Sequence, residues 1–317
     1  MTKIQKFLKA IVKIKKWIIL HLFQLLFLFI LFITPLYFYF KNILSSLNTQ
    51  IEIMNKKPPL KIVVFDLDET LGYFTEISIF WDALENYYGH NLTNDKFFEV
   101  LDTFPEVFRP NIFNILDFIS KKKACYKIVI YTNNQGQKSW VTMISEYISY
   151  KNGYNVFDTI IAAYKIRGKL IEPKRTSHEK SVTDLMKCTN IPENTEICFI
   201  DDLYHPLMDK ENVYYINIKP YRISLPFDIM ASRYYNAILI KNTIINETSF
   251  VKQIVTYMNQ YNYMVLPKSD DETKIDSIVS KKLYSNLDDF FKKERKIQTR
   301  KKRNRRTKTN RNYNINK

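Results

Sequence analysis

The chain has 317 residues, and 48 Lys plus Arg against 32 Asp plus Glu give a net charge of +16. That surplus sits at the two ends: residues 1–16 carry +6 and residues 292–317 carry +12, so residues 17–291 carry −2 and a folded domain with a broadly basic face is excluded. The five glycines are too far apart for a GxGxxG, a GxxxxGK or a GxSxG motif, and the three cysteines and four histidines form neither a CxxC pair nor an HExxH pair.

Residues 1–16 form a basic N-terminal segment. Residues 17–40 contain no Asp, Glu, Lys or Arg, and at a helical rise of about 1.5 Å per residue they exceed the roughly 30 Å hydrocarbon core of a bilayer. They are expected to form a transmembrane helix; a signal peptide or a buried core helix is the alternative. Six lysines precede the span and Lys41 alone follows it closely, which favours a cytoplasmic N-terminus with the rest of the chain across the membrane. Three unpaired cysteines and a basic tail suit a reducing cytosol instead, so the side of the domain that follows stays open. A polar linker is expected over 41–58, where Met54 could serve as an internal start.

From residue 59 the pattern alternates between strand and helix. Apolar, β-branched runs at Ile62–Phe65, Ile128–Tyr131, Ile160–Ala163, Ile197–Ile200 and Val213–Ile218 read as parallel strands buried on both faces. Between them, Pro110 suits a first helical turn ahead of Ile112, Ile115, Leu116 and Ile119. Val141, Ile144 and Ile148 form a second stripe, and Val182, Leu185 and Met186 a third. The expected fold is α/β, an open parallel sheet whose ligands bind at the carboxyl ends of its strands.

Polar clusters fall at three of those ends: Asp66-Leu67-Asp68-Glu69-Thr70, Thr132-Asn133-Asn134 and Asp201-Asp202. Side chains alternate along a strand, so Asp66 and Asp68 can lean to one side. Carboxylates converging from two strands repel one another unless a hard divalent cation sits among them, and Mg²⁺ is the natural occupant.

FDLDETL from Phe65, YTNN from Tyr131, a lysine at a helix start (Lys180) and FIDD from Phe199 resemble motifs one to four of the haloacid dehalogenase superfamily. DLDETL, with Arg109-Pro110 ahead of the second motif, is similar to one branch, the RNA polymerase C-terminal-domain phosphatases and NLI-interacting factors, which includes divergent members in large DNA viruses. The resemblance implies a Rossmann-like core over 59–219 without a large cap and a Mg²⁺-dependent phosphomonoester hydrolase, with a phosphoprotein as substrate. It casts Asp66 as nucleophile, Asp68 as general acid and base, and Thr132 and Lys180 as phosphoryl-binding groups. The metal would be held by Asp66, the backbone carbonyl of Asp68, Asp201 and, through water, Asp202. Lys174 and Lys187 share the third motif's window with Lys180. The chain departs from the family in having Asp202 where Asn is usual, and helical patterns over 74–108 where strands and a flap are common.

Residues 220–290 read as a helical extension with two amphipathic stripes, Phe250, Val251, Ile254 and Met258, then Ile275, Ile278, Val279 and Leu283. The tail, 291–317, is a like-charge block expected to be disordered and suited to nucleic acid or acidic lipid. Two rival functions stand beside the phosphatase: a non-catalytic membrane-anchored scaffold of the same fold, and a nucleic-acid end phosphatase.

Overall fold

A computed structural model of the chain describes residues 3–55, 59–136, 138–239 and 246–293. The chain divides between Pro58 and Pro59 into two compact units. The first contains one helix, α1 (Lys3–Asn55), with Pro35 in its interior. Its stretch Lys9–Asn48 has a mean hydropathy of 2.4 and is long and apolar enough to cross a membrane, criteria that a signal sequence also meets. The expected linker needs correction: the helix continues to Asn55, because the sequence after Lys41 offers no Gly or Pro to break it before Pro58 and Pro59. The basic tail from 294 onward lies outside the described residues.

The second unit is built on a sheet. In chain order its strands are β1 (Lys61–Phe65), β2 (Cys125–Tyr131) and β3 (Thr159–Ile161), a short hairpin of β4 (Lys165–Ile166) and β5 (Lys169–Leu170), then β6 (Glu196–Asp201) and β7 (Val213–Asn217). Five of them form one parallel sheet in the order β3-β2-β1-β6-β7. All five lie within a few residues of the expected runs. The hairpin has no counterpart among them; it turns on Arg167 and Gly168, both at positive φ, as a two-residue turn between twisted strands requires.

Alternation along the strands gives the sheet two apolar faces. Val63, Phe65, Ile130 and Ile200 face the larger core, to which α2 (Thr75–Tyr88), α3 (Asn94–Thr103), α4 (Ile112–Ser120) and α5 (Lys138–Asn152) contribute. Ile62, Val64, Val129 and Phe199 face a smaller core completed by Val182 and Leu185 of α6 (Val182–Thr189). Phe199 is fully buried, and truncating it to Ala is expected to cost about 3–5 kcal/mol. Pro110 precedes α4 instead of lying in its first turn, because Asn111 takes a left-handed conformation as the N-cap.

The extension supplies three helices: α7 (Phe227–Leu239), which the sequence reading lacks, α8 (Glu247–Met258) and α9 (Asp270–Lys292). In α8 the expected Phe250, Ile254 and Met258 are buried. In α9 the expected stripe holds in part: Leu283 is buried and Val279 packs against the core, but Ile275 and Ile278 are exposed, while Asp276, Ser280, Leu287 and Phe290 are buried. The reason is electrostatic. Asp276 is drawn inward by ion pairs with Lys219 and Lys268, which hydropathy cannot register. At the far end, Lys61 Nζ donates to Phe290 O (2.6 Å) and Lys293 O (2.8 Å), capping the helix carbonyls and fastening α9 to the first strand.

Candidate active and metal site

β1 and β6 are neighbours in register, so Phe65 lies beside Ile200 and the two following acids emerge at one sheet edge. Asp66 N donates to Ile200 O (2.9 Å), which fixes the first residue beyond β1 against the end of β6. Asp66, Asp201 and Asp202 each present an oxygen within 4.8 Å of the others. Such an oxygen-only donor set fits a hard divalent cation. The Asp68 carboxylate is turned elsewhere, accepting from Asn134 Nδ2 (2.8 Å).

Of the three lysines in the window, Lys180 reaches the cluster. It is 2% exposed, and its Nζ lies 2.5 Å from Asp66 Oδ1 and 2.6 Å from Asp201 Oδ2. Two carboxylates share one buried ammonium. Burial disfavours the Lys180 charge, but Asp66 and Asp201 outweigh it and raise its pKa. Burial raises Asp66 well above the usual carboxylate range, with Lys180 opposing, whereas at Asp201 His205 and Lys180 overcome burial and lower it. Asp68 is also raised, by burial first, with the Asn134 hydrogen bond opposing. Asp68 therefore keeps a proton more readily than an exposed acid does.

Thr132 is buried at the end of β2, and its Oγ1 accepts from Asn134 N (3.0 Å). The amides after Thr132 are therefore partly engaged, since Gly136 N also donates to Asn134 Oδ1 (2.8 Å). The Thr-Asn-Asn turn needs these local bonds because no strand follows to satisfy its amides.

Arg175 and His205, which the motifs do not single out, also stand at the site, and Arg109 has a bonding role that its motif does not disclose. Arg175, 2% exposed, donates to Thr132 O (3.0 Å), Ala162 O (2.9 Å) and His178 O (3.0 Å), and its guanidinium packs 4.8 Å from the Tyr131 ring. It ties the ends of β2 and β3 to the loop carrying Lys180. Arg109 does the same for the first motif, donating to Thr70 O (2.6 Å), Glu69 O (2.6 Å) and Lys219 O (2.9 Å). His205 stands with Nδ1 3.0 Å from Glu179 Oε1 and Nε2 3.3 Å from Asp201 Oδ2, the latter an ion-pair distance without hydrogen-bond alignment. Thr70 Oγ1 donates to Asp202 Oδ1 (3.2 Å), linking the first and fourth motifs.

No family model matches the chain, and no curated protein or solved structure matches it.

Proposed function

We propose that the chain is a Mg²⁺-dependent phosphomonoester hydrolase of the haloacid dehalogenase type, anchored in a membrane by α1 and acting on phosphoserine or phosphothreonine in protein. The observation that carries this reading is the meeting of Asp66, Asp201 and Asp202, the first two of them on the buried Lys180, at the carboxyl edge of a parallel sheet. A scaffold has no use for that concentration of buried charge, which costs stability wherever it is incompletely compensated.

In this reading an Asp66 oxygen attacks phosphorus, forming an acyl-phosphate bond as the ester P–O bond breaks. Asp68, held by Asn134, gives its proton to the leaving oxygen. The same carboxylate then takes a proton from the water that attacks phosphorus, releasing phosphate and restoring Asp66. Lys180 and the Thr132 hydroxyl bind phosphoryl oxygens and hold them in line with Asp66. Asp66, Asp201 and Asp202 would hold Mg²⁺, which supplies neutralising charge beside the phosphoryl oxygens.

Turnover of an aryl phosphate by the full chain, with and without Mg²⁺, tests the reading. Mg²⁺-dependent hydrolysis that disappears in Asp66→Asn of verified fold is the expected outcome; equal rates in the two proteins would remove it.

A further inference from the structure

A cleft of about 570 Å³ lies between Tyr73, which follows the first motif, and the segment from Lys219 into the extension. Tyr73 and Tyr263, joined through their hydroxyls, form part of its wall, and Lys219, Arg222 and Lys268 bring three cations to it. Glu272 and Asp276 are the carboxylates in the lining. Asp276 is 1% exposed and already engaged by both Lys219 and Lys268, so two cations share a single buried acid. Arg222 is paired outward, its Nε 3.0 Å from Glu69 Oε2.

The Glu69 contact connects this cleft to the chemistry. Glu69 follows Asp68, which in the proposed reaction faces the leaving oxygen, and it is held at positive φ by Arg109 and by Tyr221 N on its carbonyl. Glu69, the neighbour of Asp68, thus links to Arg222 in the cleft lining, which also contains Lys219. Those two side chains are 62% and 43% exposed and can turn to a ligand.

We propose that this cleft is a leaving-group subsite that binds an anionic side chain adjacent to the phosphorylated residue of a protein substrate, through Arg222 and Lys219. The inference rests on the phosphatase reading and adds the substrate's local charge. A peptide suits the cleft better than a nucleic acid because residues 17–291 have a net charge of −2, without the broad basic surface that a polyphosphate backbone needs. The anion can be a carboxylate or a second phosphoryl group.

The test measures binding to the full-length Asp66→Asn chain, and to the wild-type chain in chelator in case the substitution disturbs folding. The probes are phosphoserine peptides flanked by Glu, by a second phosphoserine, by Ala or by Lys, and a 3′-phosphorylated oligonucleotide. The Glu-flanked or doubly phosphorylated peptide is expected to bind roughly fivefold tighter than the Ala-flanked one, the scale of one or two exposed ion pairs. Which of the two binds better identifies the anion. Arg222→Ala combined with Lys219→Ala should bring the ratio close to one. Equal affinities for the Glu-, phosphoserine- and Ala-flanked peptides, a preference for Lys, tighter binding of the oligonucleotide, or a ratio unchanged in the double variant would each overturn the proposal. Aryl phosphate turnover by the wild-type chain is read separately: its loss removes the phosphatase reading, whereas turnover without flank selectivity removes only the subsite.

Discussion

Arg175 Nη2 donates a 2.8 Å hydrogen bond to Asn133 Oδ1, joining the loop that delivers Lys180 to the turn that presents Thr132. Two of the groups assigned to phosphoryl binding are thus positioned by a residue that touches Thr132 through its backbone carbonyl and not through its hydroxyl. Lysine at 175 keeps the charge but loses the planar fork that serves several acceptors at once. Arg175→Lys is expected to lower kcat for an aryl phosphate at least about tenfold, the cost of displacing a positioned group, while the fold is retained. Circular dichroism and steady-state kinetics on the same preparation check it; an unchanged kcat would show that the fork is dispensable.

Lys180→Met leaves Asp66 and Asp201 facing each other without their shared ammonium. Loss of one member of a buried ion-pair network costs roughly 3–5 kcal/mol. A divalent cation can replace part of that charge, so Mg²⁺ should raise the denaturation midpoint of Lys180→Met more than that of the wild type. Identical Mg²⁺ responses would indicate that the carboxylates do not share a cation site.

Glu76, in the first turn of α2, is 1% exposed, and neither of its oxygens has an aligned hydrogen bond, although the Tyr263 hydroxyl and the Leu225 backbone lie near it. Burial pushes its pKa from 4.5 to about 7, with those neighbours opposing. Between these values the folded state binds a proton that the unfolded state has lost, so stability falls as pH rises toward 7 and is flat above it. The whole effect is on the order of 3 kcal/mol. Urea midpoints at about pH 5 and about pH 8 should differ less in Glu76→Gln than in the wild type, because an amide cannot ionise. An equal difference would assign the slope to other groups.

How far the sequence discloses this molecule depends on the kind of interaction. The five parallel strands are legible because Ile62, Val64, Val129 and Phe199 and their alternates are apolar on both faces, a pattern hydropathy records directly. Asp66, Asp201 and Asp202 are legible as well, since adjacent strands in register end together. Arg175 and His205 are not, and of Arg109 only its place in the motif is: their bonds go mostly to backbone carbonyls, or to acids brought close only by the tertiary fold. The phase of α9 is hidden for a related reason, because Asp276 is buried by its ion pairs while Ile275 and Ile278 face outward.

Membrane topology is open to a chemical test. In the proposed anchored form, the charge bias around residues 17–40 would place the second unit on the non-cytoplasmic side, whereas three free cysteines suit a reducing compartment. Asn91 and Asn246 lie in glycosylation sequons and are exposed. Expression in a eukaryotic host is expected to yield a glycosidase-sensitive mass shift that Asn91→Gln with Asn246→Gln abolishes. Cleavage of the C-terminal tail by protease added outside sealed microsomes would reverse the assignment.

The covalent role of Asp66 is the claim on which the rest depends. Acid-quenched turnover mixtures of the wild type and of Asp68→Asn, digested and analysed by mass spectrometry, address it directly. Because Asp68 serves both half-reactions, Asp68→Asn with an activated aryl ester, whose leaving group needs little protonation, should accumulate the intermediate. The predicted result is a phosphoryl group on the peptide containing Asp66, labile to hydroxylamine and absent from Asp66→Asn. Hydrolysis at wild-type rates by Asp66→Asn, or a phosphoryl group carried on a different residue, would contradict the account.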